Sequence, residues 1–182
     1  MSAFKSVQNK LFGKFVSYSL VPSFVLFTTK ITSMLVLAKI YNIGYTKTAQ
    51  GIYFSNFENF IFVNNVSNLI TFIVMFSFCT LLLVKAYFFH TSHITPKFSA
   101  WLNIQNLEHL MVGSIDLYLK TISWFFFMWL TVVLMFGHAA IGIATFNYFV
   151  IAFIVALTAS VFLIVDIERD HSIIKELKRL SF

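Results

Sequence analysis

Four stretches of this chain are apolar for about twenty residues each, the length a helix needs to cross the hydrocarbon core of a bilayer. They fall at residues 20–41, 66–89, 121–140 and 146–165. In hydrocarbon every backbone N–H and C=O has to be paired inside the protein, and an α-helix does this within one segment. Charged residues make up 11% of the chain and hydrophobic residues 59%; soluble domains carry about 25% charged residues. A soluble core of this length could not hide so much apolar surface. The fold class that follows is all-α: a polytopic integral membrane protein with about four transmembrane helices and interfacial amphipathic helices.

The organisation expected is a single membrane domain over residues 1–182. A basic amphipathic N-terminal segment occupies 1–18, a four-helix membrane region 20–165, and an amphipathic tail 166–182. In the first segment Phe4, Leu11 and Phe15 recur at helical spacing, with Lys5, Lys10 and Lys14 between them. This is the pattern of a helix lying on a membrane surface. In the tail, Ile173, Ile174, Leu177 and Leu180 share a face. Residues 42–65, rich in Phe and Asn, read as an outer interfacial connection, because aromatic rings favour the headgroup region. Thr95-Pro96 reads as an N-cap followed by proline at the first helical position. Phe98, Trp101, Leu102, Leu107, Leu110, Met111 and Tyr118 continue it as a broken apolar stripe, with a bend at Gly113-Ser114.

Lysine and arginine near helix ends orient membrane proteins, with the positive side inward. Lys5, Lys10, Lys14, Lys85, Lys97, Lys120, Arg169, Lys175, Lys178 and Arg179 fall on one side, and only Lys39 and Lys47 on the other. Both termini are thus expected on the cytoplasmic or matrix side. The net charge of +6 is spread beside apolar runs. It points to lipid headgroups and not to nucleic acid. The abundance of Phe (24 residues), Ile, Asn, Tyr and Lys is the bias of AT-rich coding. A bacterial inner membrane is the expected location, with the mitochondrial inner membrane as the alternative. The lone Cys79 lies in an apolar run and reads as a small buried hydrophobe.

The polar exceptions carry what functional information there is. Lys30 interrupts the first apolar run, and a charge at a helix centre costs roughly 2.5–3.5 kcal/mol on insertion scales. Ser19, Ser23, Lys30 and Ser33 fall on one helical face, a stripe that turns toward protein or water. No carboxylate lies in any of the four runs, so Lys30 has no evident partner unless Glu58 or Asp116 dips inward; a companion chain is expected to supply one. The competing reading is a shifted first span from which Lys30 snorkels to the interface.

His90, His93, His109 and His138 are weak ligand candidates. Bis-histidine haem needs two imidazoles at one depth on facing helices, and His138 has no such partner. His90 and His93 at HxxH spacing, with His109, form at most a weak metal motif. Asp166, Glu168 and Asp170 read as a solvated helix end. Ala152, Ala156 and Ser160 recur every four residues, which lets helix backbones approach closely.

No phosphate loop, nucleophile elbow or metalloprotease motif is present in the sequence. The expected function is a small non-enzymatic subunit or scaffold of a larger membrane assembly. It would have no cofactor, and its partners would be membrane lipid and other membrane subunits or its own copies. The alternatives are a haem- or quinone-binding redox anchor and an oligomeric channel or carrier lined by the Ser/Thr/Lys stripe.

Overall fold

The computed structural model describes residues 2–48, 51–89, 95–107 and 114–180. Among them are five helices and one β-hairpin: α1 (Ser2–Ile40), β1 (Tyr45–Thr48), β2 (Gly51–Phe54), α2 (Phe57–Phe89), α3 (Pro96–Ile104), α4 (Ser114–Ala140) and α5 (Phe146–Leu180). Four of the helices are long and apolar enough to cross a membrane. The protein is membrane-embedded through them.

The long helices reach beyond the expected spans. α1 joins the basic segment to the first span without a break, and its 39 residues extend about 58 Å at 1.5 Å per residue. Pro22 lies within this helix with its ring buried. α5 likewise runs from the fourth span into the tail. The faces expected for Lys5, Lys10 and Ile173–Leu180 belong to side chains outside the described ones.

The connection at 42–65 is the main departure from an all-α chain. α1 stops at Asn42, which takes the left-handed conformation (φ 51°). The Ile43 N–H then bonds the Ala38 carbonyl at 2.8 Å and closes the last turn in a Schellman motif. β1 and β2 pair antiparallel with Tyr45 opposite Phe54 and Thr48 opposite Gly51. α2 starts at Phe57 and not near residue 66, because Asn56 caps it. The Asn56 Oδ1 accepts the Glu58 N–H at 3.0 Å, and Glu58 places an acid in the first turn.

α3 begins as its sequence implies, with Thr95 accepting the Phe98 N–H and proline in the first turn. Leu102 of its stripe is buried. Leu110, Met111 and Gly113 lie outside the described residues. α4 ends on Gly142 (φ 77°) in a second Schellman motif, where the Ile143 N–H meets the His138 carbonyl at 2.9 Å.

α2 packs against α1, α4 and α5. The core lies where α2, α4 and α5 meet: Phe72, Met75 and Cys79 from α2, Trp124, Met128, Val132 and Met135 from α4, Ala152, Ala156 and Leu163 from α5, with Leu26 reaching in from α1. Phe78 stacks on Trp124 with ring centroids 4.4 Å apart.

Candidate functional site

The polar side chains that α1 and α4 place among apolar neighbours converge on one face of α2. Asn64, Ser67, Asn68 and Thr71 recur at three- and four-residue intervals, the spacing that stacks side chains along one helical stripe. All four are buried. Lys30 of α1 inserts its ammonium among them. Its Nζ donates to Ser67 Oγ at 2.7 Å, to Asn64 Oδ1 at 2.9 Å, to Asn68 Oδ1, and at 3.3 Å to the Asn64 carbonyl. An ammonium has three N–H donors, so the longest of these contacts shares a proton. Ser67 passes its own proton to the Asn64 carbonyl at 3.0 Å, and Thr71 bonds the Ser67 carbonyl at 2.7 Å.

The same amides reach α4. The Nδ2 atoms of Asn68 and Asn64 lie 3.1 and 3.4 Å from His138 Nδ1. Asn64 Nδ2 also donates to the Ile143 carbonyl at 3.0 Å. One position on, Asn65 clasps Thr145 twice: its Oδ1 accepts the Thr145 N–H at 2.8 Å and its Nδ2 donates to the Thr145 hydroxyl at 2.9 Å. The α4–α5 turn is therefore tied to α2 by three bonds, and α1 to α2 by the ammonium.

Lys30 thus has partners within its own chain. They are neutral oxygens and not a carboxylate, and with them the ammonium does not call for a companion chain. Sequence reasoning missed Asn64 and Asn65 because residues 42–65 were read as a connection, and Ser67 and Asn68 because they are neutral residues at the start of the second span. With α2 extended upstream to Phe57, NNVSNLIT shows one polar face at helical spacing.

The stripe of Ser19, Ser23, Lys30 and Ser33 is divided. Ser19 bonds the Phe15 carbonyl at 2.9 Å and lies 3.5 Å from Ser123 Oγ of α4. Ser23 and Ser33 turn back on the Leu20 and Lys30 carbonyls. Only Lys30 reaches α2.

Of the packing residues, Ala152 and Ala156 are fully buried in the core, and the Trp129 indole N–H donates to Ser160 Oγ at 3.0 Å. Their neighbours are α2 and α4 of the same chain. His90, His93 and His109 lie outside the described residues. Among the described ones, no group of three His, Cys, Asp or Glu side chains is placed to hold a metal ion.

A second polar cluster joins α1 and α4 at their other ends. Lys14 Nζ meets Asp116 Oδ1 at 3.0 Å, Tyr18 donates to the same oxygen at 3.2 Å, and Lys120 stands 5.1 Å from the Tyr18 ring centroid. Both charged partners are about half exposed, so this pair contributes little to stability in water; it marks a depth.

The chain matches no family model, no curated protein and no solved structure among those with which it was compared.

Proposed function

We propose that the chain is a small non-enzymatic membrane subunit that fixes an outer platform on a four-helix anchor and presents it to a partner protein. The reading starts from where the bilayer sits. Lys14 and Lys30 are separated by about 24 Å of helix, and Asp116 and His138 by about 33 Å, close to a hydrocarbon thickness of about 30 Å. The hairpin supplies an independent limit. Its Lys47, Thr48, Gly51 and Ile52 line a pocket with Ile31, Met34 and Leu35 of α1, so it hangs beside α1 almost to the depth of Lys30. Lys47 on this hairpin is exposed, and a charged side chain facing lipid hydrocarbon is costly. The outer boundary therefore lies near Ile31, and Lys30 anchors the helices at that boundary.

The observation that carries the reading is apolar surface above this boundary. α1 continues for ten residues beyond Lys30, about 15 Å. Val36, Ile40, Tyr41 and Phe57 are exposed there. Lipid tails do not reach that level, and apolar patches in water mark interaction surfaces. A carrier would need Lys30 to meet its substrate, whereas here the ammonium is occupied by four oxygens of α2.

Native mass after gentle extraction, combined with photocrosslinking from position 57, tests the reading. A particle with a companion chain crosslinked at that position is expected. A bare monomer with no crosslink overturns it. With the positive side inward, this platform would lie outside a bacterial inner membrane, or on the intermembrane face of the mitochondrial one.

A further inference from the structure

The face between α2 and α5 carries a feature that the outer clasp does not use. An apolar groove of about 320 Å3 opens there, lined in part by Phe76, Thr80, Leu83, Thr158 and Phe162. The hydroxyls of Thr80 and Thr158 donate back to the Phe76 and Ile154 carbonyls, both at 2.9 Å. Their polar groups are thus used within their own helices. Leu83 and Phe162 also line a second pocket of about 310 Å3, together with Tyr87, Phe88 and Asp166. The two pockets share Leu83 and Phe162, and together their lining follows α2 from Phe76 to Phe88, about 18 Å.

The inner end of this groove is charged. Asp166 lies twenty residues from the start of α5, about 30 Å along the helix and so at the inner headgroup level. Its Oδ2 is enclosed and meets no hydrogen-bond donor among the described residues. One turn on, the Arg169 guanidinium carbon stands 5.7 Å from the Tyr87 ring centroid.

We infer that the α2–α5 groove binds an inner-leaflet phospholipid with a primary-amine headgroup, one acyl chain lying between the helices and the ammonium meeting Asp166. The groove is apolar along its length and acidic at its headgroup end. Asp166 lines the inner end of the groove, and a primary ammonium supplies three N–H donors for its carboxylate. Arg169 flanks the position of the lipid phosphate. A partner helix is about 10–12 Å across with its side chains; it would bridge a groove of this size, whereas a single hydrocarbon chain fills it. Neither the groove nor the carboxylate depends on the outer platform.

The full chain is reconstituted in vesicles holding equal amounts of phosphatidylethanolamine and phosphatidylcholine with identical acyl chains. It is then extracted gently, and the retained lipid is counted by native mass spectrometry. The choline headgroup keeps the charge but has no N–H. The expected result is retention of the ethanolamine lipid about tenfold over the choline lipid, the scale of a hydrogen bond to a charged group. Asp166→Asn should abolish that preference and Asp166→Glu keep it, while Thr158→Phe should lower retention of both lipids. Equal retention by the wild-type chain overturns the inference, and so does an undiminished preference in Asp166→Asn. If Asp166→Asn does not fold, the wild-type preference and the Thr158→Phe loss decide. A photocrosslinker at position 158 that captures a protein in native membranes, and no lipid, assigns the groove to helix docking and also overturns it.

Discussion

Lys30 and His138 are anchored by the same two asparagines. Asn64 and Asn68 each turn their oxygen to the ammonium and their nitrogen to the imidazole Nδ1. An ammonium can only donate, so the direction of both amides is set by Lys30. Nδ1 then accepts, and the ring hydrogen belongs on Nε2. Three helices are joined by two side chains whose polarity admits one arrangement.

Replacing Lys30 by Met removes the donor from four oxygens at once. Leaving buried acceptors unsatisfied costs about 1–3 kcal/mol. The thermal midpoint of the protein in nanodiscs should fall accordingly. A Lys30→Met variant as stable as the wild type would show that the clasp does not hold α1 to α2.

Asn65→Ala removes both bonds to Thr145. At about 0.6 kcal/mol per interhelical hydrogen bond in a membrane, the loss should be near 1 kcal/mol. The readout is hydrogen exchange, which should accelerate at the Thr145 amide while the mid-α4 amides stay protected.

Two glycines of α4 and its turn should respond in opposite directions. Gly142 has φ 77°, where a Cβ is strained, so Gly142→Ala should destabilise by about 1 kcal/mol. Gly137 is helical, and a Cβ there meets nothing within 4 Å. Gly137→Ala should therefore stabilise by up to about 1 kcal/mol. Unfolding midpoints of the pair, measured side by side, check this.

The bilayer placement is open to cysteine labelling. Thr46→Cys and Tyr53→Cys should react quickly with a membrane-impermeant maleimide added from the outer side. Phe126→Cys and Ile154→Cys should not. Cys79 is buried and gives a low background. Protection at position 46 or 53 would move the outer boundary upward and return Lys30 to the hydrocarbon.

The four spans were legible because membrane length and apolar composition leave one solution. The Thr95 cap was legible because capping is local chemistry. The hairpin was not. Tyr45–Thr48 and Gly51–Phe54 are four residues each, too short for alternation to register, and they lie in an aromatic segment that fits an interfacial loop equally well. The Lys30 clasp was half legible. The lysine announced itself by its charge, whereas Asn64 and Asn68 are neutral, and Asn64 sits in a run read as lying outside the span. Pairing across 34 and 38 residues of sequence is tertiary information that no local pattern contains. α1 runs without interruption through residues 18–20, where Ser19 and Ser23 bond back to their own turns.

The separation of Lys30 from its oxygens also has a meaning in time. During synthesis α1 is complete while Asn64, Ser67 and Asn68 are still to be added. Until they arrive, the lysine has only water and headgroups to satisfy it. α1 and α2 therefore enter the bilayer most readily as a joined pair, and the asparagines complete an insertion that the first helix alone leaves open.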